Sequence, residues 1–309
     1  MIYASFTIIT MIIILALAAV GGSISERSGI INLSIEGFMT IGAIIYALMA
    51  SNPSIISNRA NQFWIIPIAG LATAGFATLY AFVTVKLKAN QTIAGIALNI
   101  LALAIAVYII HSNLNPGGVQ DKIQIQSALW TLGDGSRTNS LSLFNISIII
   151  GIPVIVMVII LLNKTKFGIK LKTCGEQPDA ATSLGMKVER IQFISVMIAG
   201  GISGMAGALF IQMQGSYFYG STQGVGFLAV ALVIFGQWRP SIILLGAIIF
   251  GGLYGMVSAR ELIPGLDNMD NPELLNTLPY LASLFVLIFT QRNSKAPKAL
   301  GIPYENTGR

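Results

Sequence analysis

The sequence predicts an all-α polytopic membrane protein. Three observations predict it. Apolar runs of membrane length recur from one end of the 309-residue chain to the other. Only 10% of residues are charged, against 54% hydrophobic. The cations fall in the connectors between the runs. A soluble domain carries roughly 25% charged residues, so a chain this long with so few charges cannot cover its surface in water; its mean hydropathy is +0.77. These features exclude a cytosolic enzyme, a nucleic-acid binder and a secreted disulfide scaffold, and the single cysteine, Cys174, permits no internal disulfide.

A bilayer core of about 30 Å takes about 20 apolar residues as helix. About nine candidate spans result, with eight to ten as the range. Ser5–Gly22 lacks a basic leader and an Ala-x-Ala site, so it reads as a retained helix. Gly29–Ala50 is polar at its start. Gln62–Val85, Gln91–His111 and Phe144–Leu162 follow. Ile191–Gln214 carries small residues every fourth position (Ala199, Ser203, Gly207; Gly200, Gly204), a ridge for close helix packing. Gly224–Gly236 is short, and Ser241–Ser258 and Leu278–Gln291 complete the set.

Placing the loop Asn163–Arg190 inside puts all but four of the 18 Lys and Arg at the inner face; Arg59, Lys122, Arg137 and Arg260 lie outside. This is a strong positive-inside bias, with the N-terminus out and the C-terminus in. The acidic residues Glu261, Asp267, Asp270 and Glu273 fall outside. The loop 112–143, with Trp130 at its centre, is extracytoplasmic. The loop 163–190 and the polar tail 292–309 are cytosolic, and residues 1–309 form one transmembrane domain.

No nucleotide-binding, metalloprotease or serine-hydrolase motif is present. Gly201-Ile202-Ser203-Gly204 superficially resembles an intramembrane protease motif, but the one histidine, His111, precedes it near the outer face, and an unactivated serine is a poor nucleophile. Tyr217, Phe218 and Tyr219 sit where an interfacial aromatic belt is expected.

The inner loop is more informative. Residues from Gly175 to Met186 read as a short helix. Pro178 suits its first turn, Asp179 its positive end and Gly185 its stop. Ala180 and Ala181 keep one face small, so the helix either docks on a cytosolic partner or lies at the lipid interface. Within the spans, Glu36 is costly unless paired or hydrated. Asn32, Glu36 and Asn99 could line a polar path; against that, Asn32 and Glu36 read as bonded to backbone at helix breaks, and Asn99 as polar glue between helices.

Four segments together resemble the permease subunits of bacterial ABC importers, in the branch of the ribose and branched-chain amino-acid permeases. Residues 26–37, Glu-Arg-Ser-Gly-Ile-Ile-Asn-Leu-Ser-Ile-Glu-Gly, are similar to an ERSGxxNxxxEG signature of nucleoside-type (simple-sugar) permeases. Residues 91–99, QTIAGIALN, 226–232, GFLAVAL, and 296–304, APKALGIPY, resemble further motifs of that group in the same order.

The resemblance implies a permease in the bacterial plasma membrane, most of all for nucleosides. It implies alternating access driven by a cytosolic ABC ATPase, with no catalysis and no cofactor in this chain. The further partners implied are a second permease (a paralogue or a copy), an extracytoplasmic substrate-binding (lipo)protein and membrane lipids, and no nucleic acid. Gly175, Pro178, Ala180, Ala181 and Gly185 would form the coupling helix, and Glu26 and Arg27 an inner-face motif beside it. Asn32, Glu36, Asn99 and Phe227 are the path candidates. Gln177, Met186, Leu228 and Ala229 depart from the group's usual residues. Competing expectations are a simple-sugar permease, a secondary transporter coupled to protons through Glu36, and a membrane scaffold or sensor.

Overall fold

A computed structural model describes residues 2–56, 58–112, 121–125, 145–215, 217–260, 272–290 and 296–304. Most of the loop 112–143, with Trp130 and Arg137, lies outside the described residues, as do Glu261, Asp267, Asp270, Arg292, Lys295 and Arg309.

Among the described residues the chain forms twelve α-helices: α1 (Ile2–Arg27), α2 (Ile35–Ala50), α3 (Pro53–Ile56), α4 (Gln62–Ala81), α5 (Gln91–Ile110), α6 (Ile146–Lys164), α7 (Lys166–Glu176), α8 (Pro178–Ser183), α9 (Val188–Gln214), α10 (Val225–Phe235), α11 (Pro240–Ser258) and α12 (Pro272–Thr290). A π-helical turn, Phe82–Lys86, extends α4.

The expectation of eight to ten spans is overturned. Among the described residues, six helices are long and apolar enough to cross a membrane: Ala4–Arg27, Gln62–Lys86, Gln91–Ile110, Ile146–Lys164, Val188–Gln214 and Pro240–Ser258. The reason is length. At 1.5 Å per residue, the 16 residues of α2 reach about 24 Å and the 11 of α10 about 16 Å. What read as two more spans is two shorter helices, each with an irregular lead-in, 28–34 and 219–224. In α12, Glu273, Asn276, Thr277 and Pro279 interrupt the apolar run.

α1 is apolar on every side and forms the central pillar, with residues 13–20 buried throughout. Around it stand α6, α9, α10 and α11, while α2 and α4 pack on α9. α5 lies at the periphery with Ile93, Ile96, Ile100 and Leu103 exposed, as lipid-facing side chains are.

The small-residue ridge of α9 packs as its spacing implies. A Cβ on Gly42 would fall inside the backbone of Gly204, and a Cβ on Gly207 would strike the Met39 carbonyl. Without side chains in the way, α2 and α9 approach backbone to backbone.

The bundle has two chemically different ends. At the basic end Lys86 pairs with Glu189 (2.6 Å), Arg27 meets Trp238, and the 296–304 segment bonds Gly175 of α7 and Gly29, just past the end of α1. At the opposite end a strand Ile123–Gln124 pairs antiparallel with Tyr217–Phe218. Lys122 Nζ lies 3.9 Å from the centre of the Tyr217 ring. The pairing buries Phe218 and leaves Tyr219 exposed, so only part of the expected aromatic belt faces outward.

Replacing Gly42 with Leu should overpack the α2–α9 seam, at a cost of about 1–3 kcal/mol or more. Thermal unfolding of the purified protein in detergent measures this as a lowered melting temperature; an unchanged midpoint would contradict the close approach.

Candidate functional site

The irregular segment 28–34 runs between α1 and α2 at membrane depth. Backbone there has no water to bond to, and polar side chains from three other helices take its place. Gln91 Oε1 accepts the Ile31 amide at 2.7 Å, and the Tyr80 hydroxyl lies 3.0 Å from the Gln91 carbonyl and 2.5 Å from that of Ile31. Gln192 Nε2 donates to the Ser28 carbonyl at 3.1 Å. Asn99, two turns along α5 from Gln91 and so about 12 Å deeper, bonds both sides of the α2 start. Its Nδ2 donates to the Leu33 carbonyl and its Oδ1 accepts the Gly37 amide, each at 2.8 Å.

Glu36 stands in the first turn of α2 and bonds the first turn of α10. Its Oε1 accepts from Thr222 Oγ1 (2.8 Å) and the Gly224 amide (3.0 Å). Its Oε2 accepts the Gly226 amide at 2.7 Å. These are amides that no turn of α10 can satisfy, and the carboxylate also meets the positive end of that helix. Gly226 has no side chain because a Cβ there would overlap the Glu36 backbone. Two short helices thus start at one point and run to opposite ends of the bundle.

The other candidates divide. Asn32 is fully buried: its Nδ2 has no acceptor to donate to, while its Oδ1 accepts from Ser34 Oγ at 2.8 Å. Phe227 is half exposed. Beside the α10 start a cavity of about 290 Å³ is lined by Gln223, Tyr254, Ser258, Pro279 and Tyr280, and the Tyr280 hydroxyl donates to the Gln223 carbonyl at 2.8 Å.

At the basic end Glu26 Oε2 accepts from Trp238 Nε1 at 2.5 Å, its Oε1 from the Asn32 amide at 3.3 Å, and Arg27 Nε donates to the Trp238 carbonyl at 2.8 Å. Gln237 and Trp238 have φ of 48° and 57°, a conformation costly without Cβ-free residues; Glu26 and Arg27 hold that turn. The loop helix is shorter than expected. Gly175 belongs to α7, against the Arg27 carbonyl, and Gln177 breaks the chain before Pro178 opens α8. Gln177 makes no side-chain cap bond, and Gly185 stops the helix at φ 76°.

Ala181 is buried with Cys174 and Val188, while Ala180, Ser183 and Leu184 face outward. The C-terminal segment straps this corner. The Ala299 amide donates to the Gly175 carbonyl (2.8 Å), the Gly301 amide to the Gly29 carbonyl (3.0 Å), and the Tyr304 and Thr182 hydroxyls meet at 2.6 Å.

The sequence profile of the family described as "Branched-chain amino acid transport system / permease component" matches residues 4–289. The chain belongs to this family. It is a non-catalytic transport component, a permease of the bacterial plasma membrane with several spans. Membership implies the usual ABC-importer assembly with an ATPase and a substrate-binding protein. The chain is 31% identical over 301 residues to the guanosine ABC transporter permease protein NupQ of Bacillus subtilis (strain 168), covering 94% of this chain and 92% of that one. It is 30% identical over 296 residues to the nucleoside ABC transporter permease protein NupC of Lactococcus lactis subsp. cremoris, with the same coverage. It is 29% identical to the putative glucose ABC transporter permease protein TsgC13 of Haloferax volcanii, over 89% of this chain and 88% of that one. No solved structure matches the chain.

Sequence reasoning missed Trp238, Thr222, Tyr80 and Gln192 in this permease. Their partners lie 11 to 212 residues away, and the available signal was a polar or amphipathic residue near a helix end. Burial pushes the Cys174 thiol up to about 11. A raised thiol stays protonated at neutral pH and is a poor nucleophile. Alkylation of the folded permease at pH 8 should therefore be far slower than after denaturation, read by mass spectrometry of the Cys174 peptide; equal rates would contradict its burial.

Proposed function

We propose that this permease carries nucleosides into the cytosol, driven by an ATPase docked at its basic end. The observation that carries the reading is the construction of that end. A short helix, α8, is fastened through α7 to the end of α1 and through Tyr304 to the C-terminal segment, and it leaves Leu184 outward, 75% exposed. A rigidly held helix with one exposed apolar tip transmits a push from a bound partner to α1 and to the turn at Trp238. The density of cations at this end supports placing it in the cytosol.

The nucleoside class rests on NupC and NupQ, whose names carry it and which match nine-tenths of the chain. The chemistry beside the α10 start suits that class. Tyr254 and Tyr280 offer aromatic faces and hydroxyls, and Gln223 an amide, to a base and a sugar. In this reading Asn32 and Phe227 supply further path contacts. Glu36 and Asn99 act on the path through the helix ends they hold. Similarity to TsgC13 keeps a simple sugar as the second reading. The oxygens of Glu36 are taken up by Thr222, Gly224 and Gly226, and no observation favours proton coupling through it. The second permease is a copy or a paralogue, and the binding protein delivers solute at the opposite end.

The test is uptake in liposomes holding this permease with its ATPase, partner permease and binding protein. Labelled nucleoside should accumulate only with ATP, and excess unlabelled nucleoside, not glucose, should compete. Leu184→Glu should abolish uptake while membrane insertion persists. Competition by glucose alone would favour the sugar. Uptake without ATP that a protonophore collapses would overturn the importer reading, and full uptake by Leu184→Glu would overturn the docking of α8.

A further inference from the structure

We propose that a cleft between α4 and α9 is a binding site for an anionic phospholipid. Two cavities lie along it. The first, about 820 Å³, opens at the basic end where both spans finish, and its mouth carries Lys86, Lys187 and Arg190 with the hydroxyls of Thr182 and Tyr304. The second, about 500 Å³, is a groove lined by Pro67, Gly70, Ala74, Gly201 and Met205, with almost no polar surface. Ile194 lines both cavities. From Ile194 to Met205 the groove follows α9 for about 16 Å toward the bilayer centre.

The mouth is charged and the groove is not, and a phospholipid has that same division. Glu189 pairs with Lys86 at 2.6 Å. Among the described residues no ion pair takes Lys187 or Arg190, so two cations remain for a phosphate. Arg190 offers the planar fork that binds phosphate oxygens in pairs. Phe193 and Val188 line the mouth below them and give an acyl chain its entry. The groove is narrow because small residues line both walls: a Cβ on Gly201 would lie 3.2 Å from that of Ala74. A groove between two spans faces acyl chains by default, and a basic pocket at the end of such spans selects the anionic headgroup. Because Thr182 and Gly185 line the same mouth, a bound headgroup touches the loop that holds α8.

The inference rests on this chain's place in a membrane, not on the solute it carries. It is tested on the full chain extracted with its native partners in mild detergent. Retained phospholipid is quantified by class against the membrane of origin. Wild type should retain phosphatidylglycerol or cardiolipin above their bulk share. Lys187→Gln combined with Arg190→Gln, both at exposed positions, should lower selectivity for anionic over zwitterionic lipid by about 30-fold. Ala74→Phe should reduce retained lipid, with the loss falling on the anionic class. Bulk composition on the wild type, or equal selectivity in the double variant, would overturn the proposal. So would loss of the second permease from the Ala74→Phe complex with lipid retention unchanged, which would make the groove a seam between permeases. Transport is not read, so failure here leaves the nucleoside assignment standing and failure there leaves this site standing.

Discussion

Irregular backbone inside a bilayer must find every hydrogen-bond partner within the protein, and residues 28–37 set that requirement for the rest of the molecule. Gln91 and Tyr80 bond the middle of the segment, Gln192 its start, and Asn99 both sides of the α2 terminus. The helices that deliver these groups, α4, α5 and α9, are held at fixed heights by them. Three motifs far apart in sequence meet the first one here: 91–99 through Gln91 and Asn99, 226–232 through Gly226, and 296–304 through the Gly301 amide on Gly29.

Glu36 extends the same logic from α2 to α10. A carboxylate alone in a bilayer costs about 2.5–3.5 kcal/mol on insertion scales. Three hydrogen bonds to a charged acceptor, at about 1.5–3 kcal/mol each, outweigh that cost. The negative charge also sits at the positive ends of two short helices at once. Their starts are therefore joined, and a displacement of α10, whose far end turns at Trp238 beside Arg27, is felt at α2. The basic end is joined to this crossover through α1, because Glu26 binds both Trp238 and the Asn32 amide. A push on α8 has a continuous bonded route to the two half-length helices.

Much of this was legible in the sequence. The cation distribution marked one end of the bundle. Small residues at fourfold spacing marked the α2–α9 seam, and Pro178 and Gly185 marked the limits of α8. The span count failed for a physical reason. Hydropathy sums composition, and Ile30, Ile31 and Leu33 are as apolar in an irregular segment as in a helix, so a buried lead-in adds to a span without being one. For Glu36 the residue type allowed either a path lining or a helix-break bond. The choice depended on Thr222, Gly224 and Gly226, 186 to 190 residues away, which no local pattern exposes. Ala180 and Ala181 looked equivalent as small residues, yet the rotation of α8 buries one against Cys174 and leaves the other in solvent.

The joining of the two helix starts by one carboxylate is the centre of this account. Hydrogen–deuterium exchange of the peptide spanning residues 222–230, compared between wild type and Glu36→Ala, tests it most directly. The amides of Gly224 and Gly226 should be protected in wild type. Without the carboxylate they lose partners worth about 1–3 kcal/mol each, so their exchange should quicken by about tenfold or more while peptides from α6 stay unchanged. Equal protection in both proteins would contradict the account and leave α10 held in place by packing alone.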